Sequence, residues 1–177
     1  RDAVQFTIKT DHHIWQGSPL MLRYSFSRDD RDQPFPARAR NLPGFGISVL
    51  DQGHNAAGGL TKAFTARVFN ELRVGVNALR RENLPQSADS GRFAALGITG
   101  PSLSGSDLGY PTLVVSGFET VGDDPNLPVV RRTRTVHVND VLTLDRGRHH
   151  VKTGGELGWY RSDGYNHLFA RGQAVFT

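Results

Sequence analysis

The sequence predicts an all-β fold, an antiparallel up-and-down meander. Three observations predict it: long runs in which apolar and polar side chains alternate, connections that are alternately short and long, and a glycine-rich, apolar-poor composition. The chain has 177 residues, room for one ordinary domain. Its hydrophobic fraction is 37%, below the ~45–50% usual for globular domains on a count that includes glycine. The Gly 20 amount to about 11% of residues against a usual ~7%. This composition fits strands and tight turns better than a helical bundle.

Alternation with a period of two sends successive side chains to opposite faces of a sheet. Val4, Phe6 and Ile8 alternate with Gln5, Thr7 and Lys9. Leu20, Leu22, Tyr24 and Phe26 alternate with Arg23 and Ser25, with Met21 out of phase. Leu72, Val74 and Val76 alternate with Glu71, Arg73 and Asn77. Val136, Val138, Leu142 and Leu144 alternate with Thr135, His137, Asn139 and Thr143. The phase resumes after a turn on Val151, Leu157 and Trp159, opposite Lys152, Glu156 and Tyr160. Weaker, glycine-rich alternation marks 54–65 and 168–177. About seven strands are expected.

Short reversals are expected at 11–19, with Gly17 and Pro19, at Ala66 to Phe69, and at Asp145-Arg146-Gly147-Arg148. Between them lie two long stretches, 27–53 and 84–130, rich in Pro, Gly, Ser and Asp, and a moderate connection at 162–167. In a meander, alternate connections share an end, so the short turns gather at one end and the longer loops at the other. Membrane β-barrels have this asymmetry. A soluble sheet has no physical need of it, and structureless loops beyond ~12–15 residues are uncommon in compact domains. Inside the second long loop, Asp89 or Ser90 can cap a short helix over Arg92 to Leu96 that ends at Gly97. Leu113-Val114-Val115 can extend as a strand above the sheet. No internal repeat is evident.

Lys+Arg 21 against Asp+Glu 17 gives a net charge of +4, too mild for the dense basic stripe of a nucleic-acid binder. Zero Cys excludes disulfides, thiolate metal sites and cysteine nucleophiles. No apolar run approaches the ~18 residues of a transmembrane helix, but a β-barrel strand needs only about ten residues of alternating character. The chain starts at Arg1, without Met or a signal region, and reads as an internal piece of something longer.

If the apolar face meets lipid, the opposite face lines a lumen, where Arg23, Glu71, Arg73, Lys152 and Glu156 would form cross-strand charge pairs. Trp15, Phe64 and Phe69 lie near the short turns, and Trp159, Tyr160 and Tyr165 near the opposite strand ends. This placement suits the two interfaces of a membrane, and strand-end packing in a soluble protein would also produce it. Soluble antiparallel sheets alternate as cleanly as membrane strands do. The loop asymmetry and the strand length favour part of a transmembrane β-barrel. Asp140 is a misfit, since it shares parity with Val138 and Leu142 and so would face lipid unless a bulge turns it away.

Several segments in order resemble a known family. His54-Asn55-Ala56-Ala57 followed by Asn70-Glu71-Leu72-Arg73-Val74-Gly75-Val76-Asn77 resembles a strand–turn–strand of TonB-dependent outer-membrane receptors, and within them the Oar-like subgroup with a carboxypeptidase-regulatory-like domain. Arg92 to Ile98, Ser116-Gly117-Phe118, the stretch from Asp140 through Arg146-Gly147-Arg148-His149 to Gly154-Gly155-Glu156, and Arg171-Gly172 with Phe176-Thr177 resemble further segments of that subgroup. The resemblance runs along nearly the whole chain. It implies that residues 1–177 are a partial receptor barrel domain belonging to a barrel of about 22 strands with a plug. Such a receptor moves a bulky nutrient across the outer membrane, with energy delivered by an inner-membrane complex through TonB. Plug, TonB-contacting box and terminal barrel strand have no counterpart in these residues, so no energy-coupling residue transfers.

No catalytic, cofactor or metal site is expected. The pairs His12-His13 and His149-His150 fall in the expected short turns without metal-ligand spacing, and adjacent strand residues point to opposite faces. Gly44-Phe45-Gly46 and Gly154-Gly155 fit neither a P-loop nor a dinucleotide fingerprint, and read as bends or crowded strand positions. Arg131-Arg132 with Arg134 reads as a solvated strand end that would otherwise grip an acidic ligand. Asp29, Asp30 and Asp32 alternate with arginines and do not follow a calcium loop. No nucleophile has a base beside it. The expected function is therefore uptake and not catalysis. Its expected partners are outer-membrane lipid, a nutrient ligand and the TonB complex, with no nucleic acid. A soluble β-sandwich or barrel module for carbohydrate or surface adhesion is the alternative.

Overall fold

A computed structural model describes all residues except 16–17, 36–41, 89, 91–96 and 98–102. Eight strands are formed among the described residues: β1 (Asp2–Trp15), β2 (Ser18–Gln33), β3 (Ile47–Thr65), β4 (Val68–Pro85), β5 (Thr112–Val115), β6 (Val129–Arg146), β7 (His149–Asn166) and β8 (Gln173–Phe176). Six of them make one antiparallel sheet in the order β1-β2-β3-β4-β6-β7. The connections at 16–17, 66–67 and 147–148 lie at one end, and those at 34–46 and 86–128 at the other. This is the expected meander with its loop asymmetry.

The strands outrun the sequence reading at the long-loop end. The stretch 27–53 is strand up to Gln33 and again from Ile47, and 162–166, expected as a connection, continues β7. The reason is chemical. Beyond the apolar run both faces are polar, as in Arg28-Asp29-Asp30-Arg31-Asp32, so backbone pairing persists where the apolar/polar alternation fades. The strands reach further towards the short connections than expected, which puts His12, His13, His149 and His150 in strands and not in turns. The 168–177 segment forms β8, which pairs in parallel with β5 instead of joining the main sheet. Leu113-Val114-Val115 does form a strand above that sheet. The helix expected over Arg92 to Leu96 lies outside the described residues.

Gly154 sits where a Cβ would strike the Asp140 carbonyl and Val141 of β6, so crowding explains it, whereas Gly155 beside it has open space. Asp140 is not turned away by a bulge. Its register is unbroken, opposite Leu72 on one side and Gly155 on the other, and Asn70 Nδ2 donates to its carboxylate at 2.8 Å.

The register gathers the apolar positions on one face: Phe6 opposite Phe26, Leu60 opposite Leu72, Val74 opposite Val138 and Val136 opposite Trp159. The apolar run is centred on Phe6 in β1, at the level of Ala78, and on Gly155 in β7, at the level of Leu72. Six residues of drift at ~3.3 Å each, over five strand spacings of ~4.8 Å, put the belt about 40° off the perpendicular to the strands. That matches the ~35–45° at which strands cross a membrane in a barrel.

Candidate functional site

The outward face decides the environment. Phe6, Ile8, Leu22, Val74, Val76, Leu142, Val151, Leu157 and Trp159 are all exposed, Leu157 at 77%. Among the described residues, Leu127 and Val130 are the buried hydrophobics, and both lie at the long-loop end. A water-soluble domain of this length would bury a core and would expose no continuous apolar band beyond a few hundred Å². Hydrocarbon must cover this face.

The opposite face carries the candidate site. Arg23, Glu71, Arg73, Lys152 and Glu156 share it, as expected, but they pair less across strands than expected. Arg73 reaches Glu71 along its own strand at 3.4 Å, Arg23 donates to Asn55 at 3.5 Å, and Glu156 meets His137 at 3.2 Å. The denser network lies nearer the long loops. Asp51 accepts from Arg31 at 2.7 Å and from Arg81 at 2.5 Å, while Asp29 is shared by Arg1 at 3.1 Å and Arg31 at 3.5 Å. These residues line the polar face beside a cavity of about 610 Å³ whose walls include Gln5, Ser27, Asp51, Arg81, Arg131 and Thr133. Sequence reasoning missed this network because it assigned 27–53 to a loop, where strand parity has no meaning.

At the long-loop end the described parts of the long connections form a cap. Phe45 packs edge-on against Tyr110 with ring centroids 5.5 Å apart, and Gln86 N donates to Gly46 O at 2.9 Å, so the two loops hold each other. Asp123 is the cap's centre. Its carboxylate accepts from Ser87 Oγ and, at 2.7 Å, from Tyr110 N, and its carbonyl accepts from Thr112 Oγ1 at 2.6 Å. Arg171 reaches in from the segment before β8 and donates to the Leu127 carbonyl at 2.7 Å and the Asp124 carbonyl at 3.0 Å. Pairing of β8 with β5 completes the tie.

The other sequence candidates disperse. His12 and His13 fall on opposite faces, as do His149 and His150, and His150 Nδ1 engages Asp145. Asp29 faces the lumen side, while Asp30 pairs with Arg28 at 2.6 Å and Asp32 accepts from Ser48 at 2.6 Å on the outward side. Among the described residues no three metal-ligating side chains converge. Arg131 faces the lumen side, and Arg132 and Arg134 face outward.

A tilted antiparallel sheet with an apolar outer belt, a polar inner face and loops at one end is the wall of a membrane-spanning β-barrel. The chain belongs to the outer membrane beta barrel domain family, whose model matches residues 1–177, and it resides in the bacterial outer membrane. No curated protein and no solved structure matches it. The soluble module is set aside by the same facts.

Proposed function

We propose that this chain is part of the barrel of a TonB-dependent outer-membrane receptor of the Oar-like kind, active in uptake of a bulky nutrient and not in catalysis. One observation carries the reading. The described parts of the two long connections form a cap held by Asp123, Arg171 and the Phe45–Tyr110 contact, at the end of the strands that carries the cavity on the ion-paired polar face, while two residues separate each pair of strands joined at the other end. Long loops at the exterior and short turns at the periplasm suit capture on one side and release on the other. The free edges of β1 and β7 require pairing with further strands, in the same chain or another, before the wall can stand in hydrocarbon. The nutrient would meet the cap first. TonB would act through parts of the protein outside these residues. Outer-membrane lipid is the third partner, and nucleic acid is none.

Uptake of labelled candidate nutrients by cells carrying the intact protein tests this, with and without TonB. Accumulation that disappears when TonB is removed supports active transport. Accumulation indifferent to TonB would make the barrel a passive pore, and cell-surface attachment without uptake would make it an adhesin.

A further inference from the structure

Towards the long loops the outward apolar belt ends, on four of its six strands, at a boundary set by arginine. Moving from the belt towards the long loops, β2 meets Arg28 just past Phe26 and β4 meets Arg80 past Ala78. On β6 Arg134 comes before Val136, and on β7 Arg161 follows Trp159. Register places Arg80 directly opposite Arg132, and Arg134 directly opposite Arg161. Like charges facing each other across strands are destabilising, at a Cβ separation of about 4.5–5.5 Å. The two pairs share β6 and step across three strands, Arg80 and Arg132 at one level and Arg134 and Arg161 one level nearer the belt, as a staggered cluster of four arginines.

The acids nearby offset it only in part, two carboxylates against four arginines, with Asp163 standing opposite Arg132 in register. Glu82 lies 2.7 Å from Arg80 and 4.0 Å from Arg132, and Asp163 lies 2.7 Å from Arg161. Arg134 has no acidic partner among the described residues. Glu82 and Asp163 each stand one level further from the belt than the arginine they pair with, as Asp30 does above Arg28. The cations are thus set at the lipid side of the boundary and the acids at the water side. A depression of about 290 Å³ opens here, lined by Gln52, His54, Arg80, Arg132 and Arg134.

We infer that this arginine cluster, at the depression lined by Arg80, Arg132 and Arg134, binds the phosphate of a phosphorylated lipid headgroup in the leaflet at the long-loop end. Arginine forks match phosphate oxygens bidentately, and an anion between the facing pairs converts two repulsive contacts into attractive ones. A ligand whose tails lie along the apolar belt below is held at the right height for its headgroup to enter. A free phosphate offers the same oxygens without the tails. The inference rests on residence in the outer membrane and is independent of what the barrel transports.

The test uses the protein extracted from outer membranes in mild detergent, with binding of diphosphoryl lipid A followed by native mass spectrometry. Arg132→Gln with Arg134→Gln is expected to weaken retention by about tenfold or more. Lys62→Gln with Arg146→Gln, at the opposite edge of the belt, is expected to leave it unchanged. Dephosphorylated lipid should bind no better to the native protein than to the Gln pair. Equal binding by the Gln pair, or equal loss in the control pair, overturns the inference. Displacement of the lipid by millimolar inorganic phosphate would make the cluster a site for the free ion and overturn the lipid assignment. Should the Gln pair fail to assemble, Arg132→Lys with Arg134→Lys decides, because it keeps the charge and removes the fork. Retention equal to native would then overturn the bidentate assignment.

Discussion

Arg171 Nε lies 3.8 Å from Asp123 Oδ2, with the two side chains 3% and 0% exposed. A buried ion pair this enclosed offsets its desolvation largely through further hydrogen bonds. Here Tyr110 N and Ser87 Oγ both donate to Asp123 Oδ2, the carboxylate's Oδ1 is buried without a hydrogen-bond partner among the described residues, and the Leu127, Asp124 and Asp107 carbonyls serve the guanidinium. The pair joins the longest connection to the segment that enters β8, so it fixes the cap and not the sheet.

Removing one partner leaves the other charged and buried, at a cost of about 3–5 kcal/mol. Arg171→Ala is therefore expected to open the cap while β1–β4, β6 and β7 remain folded. Hydrogen exchange reads both at once. The amides of Leu113 and Val121, which bond to each other's carbonyls at 2.7 and 3.0 Å, should lose protection. Those of Val74 and Val138 should keep it. Uniform loss along the chain would show the pair to be a support of the whole fold.

Gly109 gives an independent handle on the same cap. Its φ is +145, and a Cβ there would meet Asp123 Oδ2 and Ser87 Oγ. Gly109→Ala should loosen the cap in the same exchange assay without removing any charge. Wild-type protection in this variant would mean that Asp123 can shift without loss.

The two faces predict unequal tolerance of charge. Val74 lies in the outward belt, opposite Val138, whereas Asn77 lies on the polar face opposite Asn55 and Thr135. Val74→Arg should destabilise folding into lipid by about 2–4 kcal/mol near the midplane. Asn77→Arg should cost far less. Equilibrium folding of the intact protein into vesicles measures both, and equal costs would contradict the assignment of the belt.

Much of this was readable before any coordinates. Strict alternation on Val74, Val138 and Leu157 marks a face, and the spacing of Gly147 and Pro19 marks the ends. The upper strand ends were not readable, because Arg28 to Gln33 is polar on both faces and only backbone pairing with β3 holds it extended. The Asp51 network followed that error out of sight. Asp123 and Arg171 left no periodic trace either, since they join two irregular segments far apart in sequence. The arginine cluster is invisible until register is known: Arg80 and Arg132 become neighbours only through the β4–β6 pairing.

The sheet edges make the last prediction. β1 and β7 each pair on one side only, and both are exposed along their whole length. Each therefore offers a row of unpaired N–H and C=O groups more than ten residues long, and such an edge recruits other chains. The apolar belt beside it, with Phe6 at 45%, Ile8 at 59% and Leu157 at 77% exposure, adds a second reason to associate in water. Residues 1–177 alone, in buffer without detergent, are expected to form oligomers or aggregates instead of the 19.5 kDa monomer. Size-exclusion chromatography with light scattering measures this directly. Detergent should cover the belt but leave the edges open, so it should reduce the association without abolishing it. A monodisperse monomer in plain buffer, unfolding cooperatively, would mean that the belt finds cover within the chain itself, and the membrane-facing assignment of Val74, Leu142 and Leu157 would fall with it.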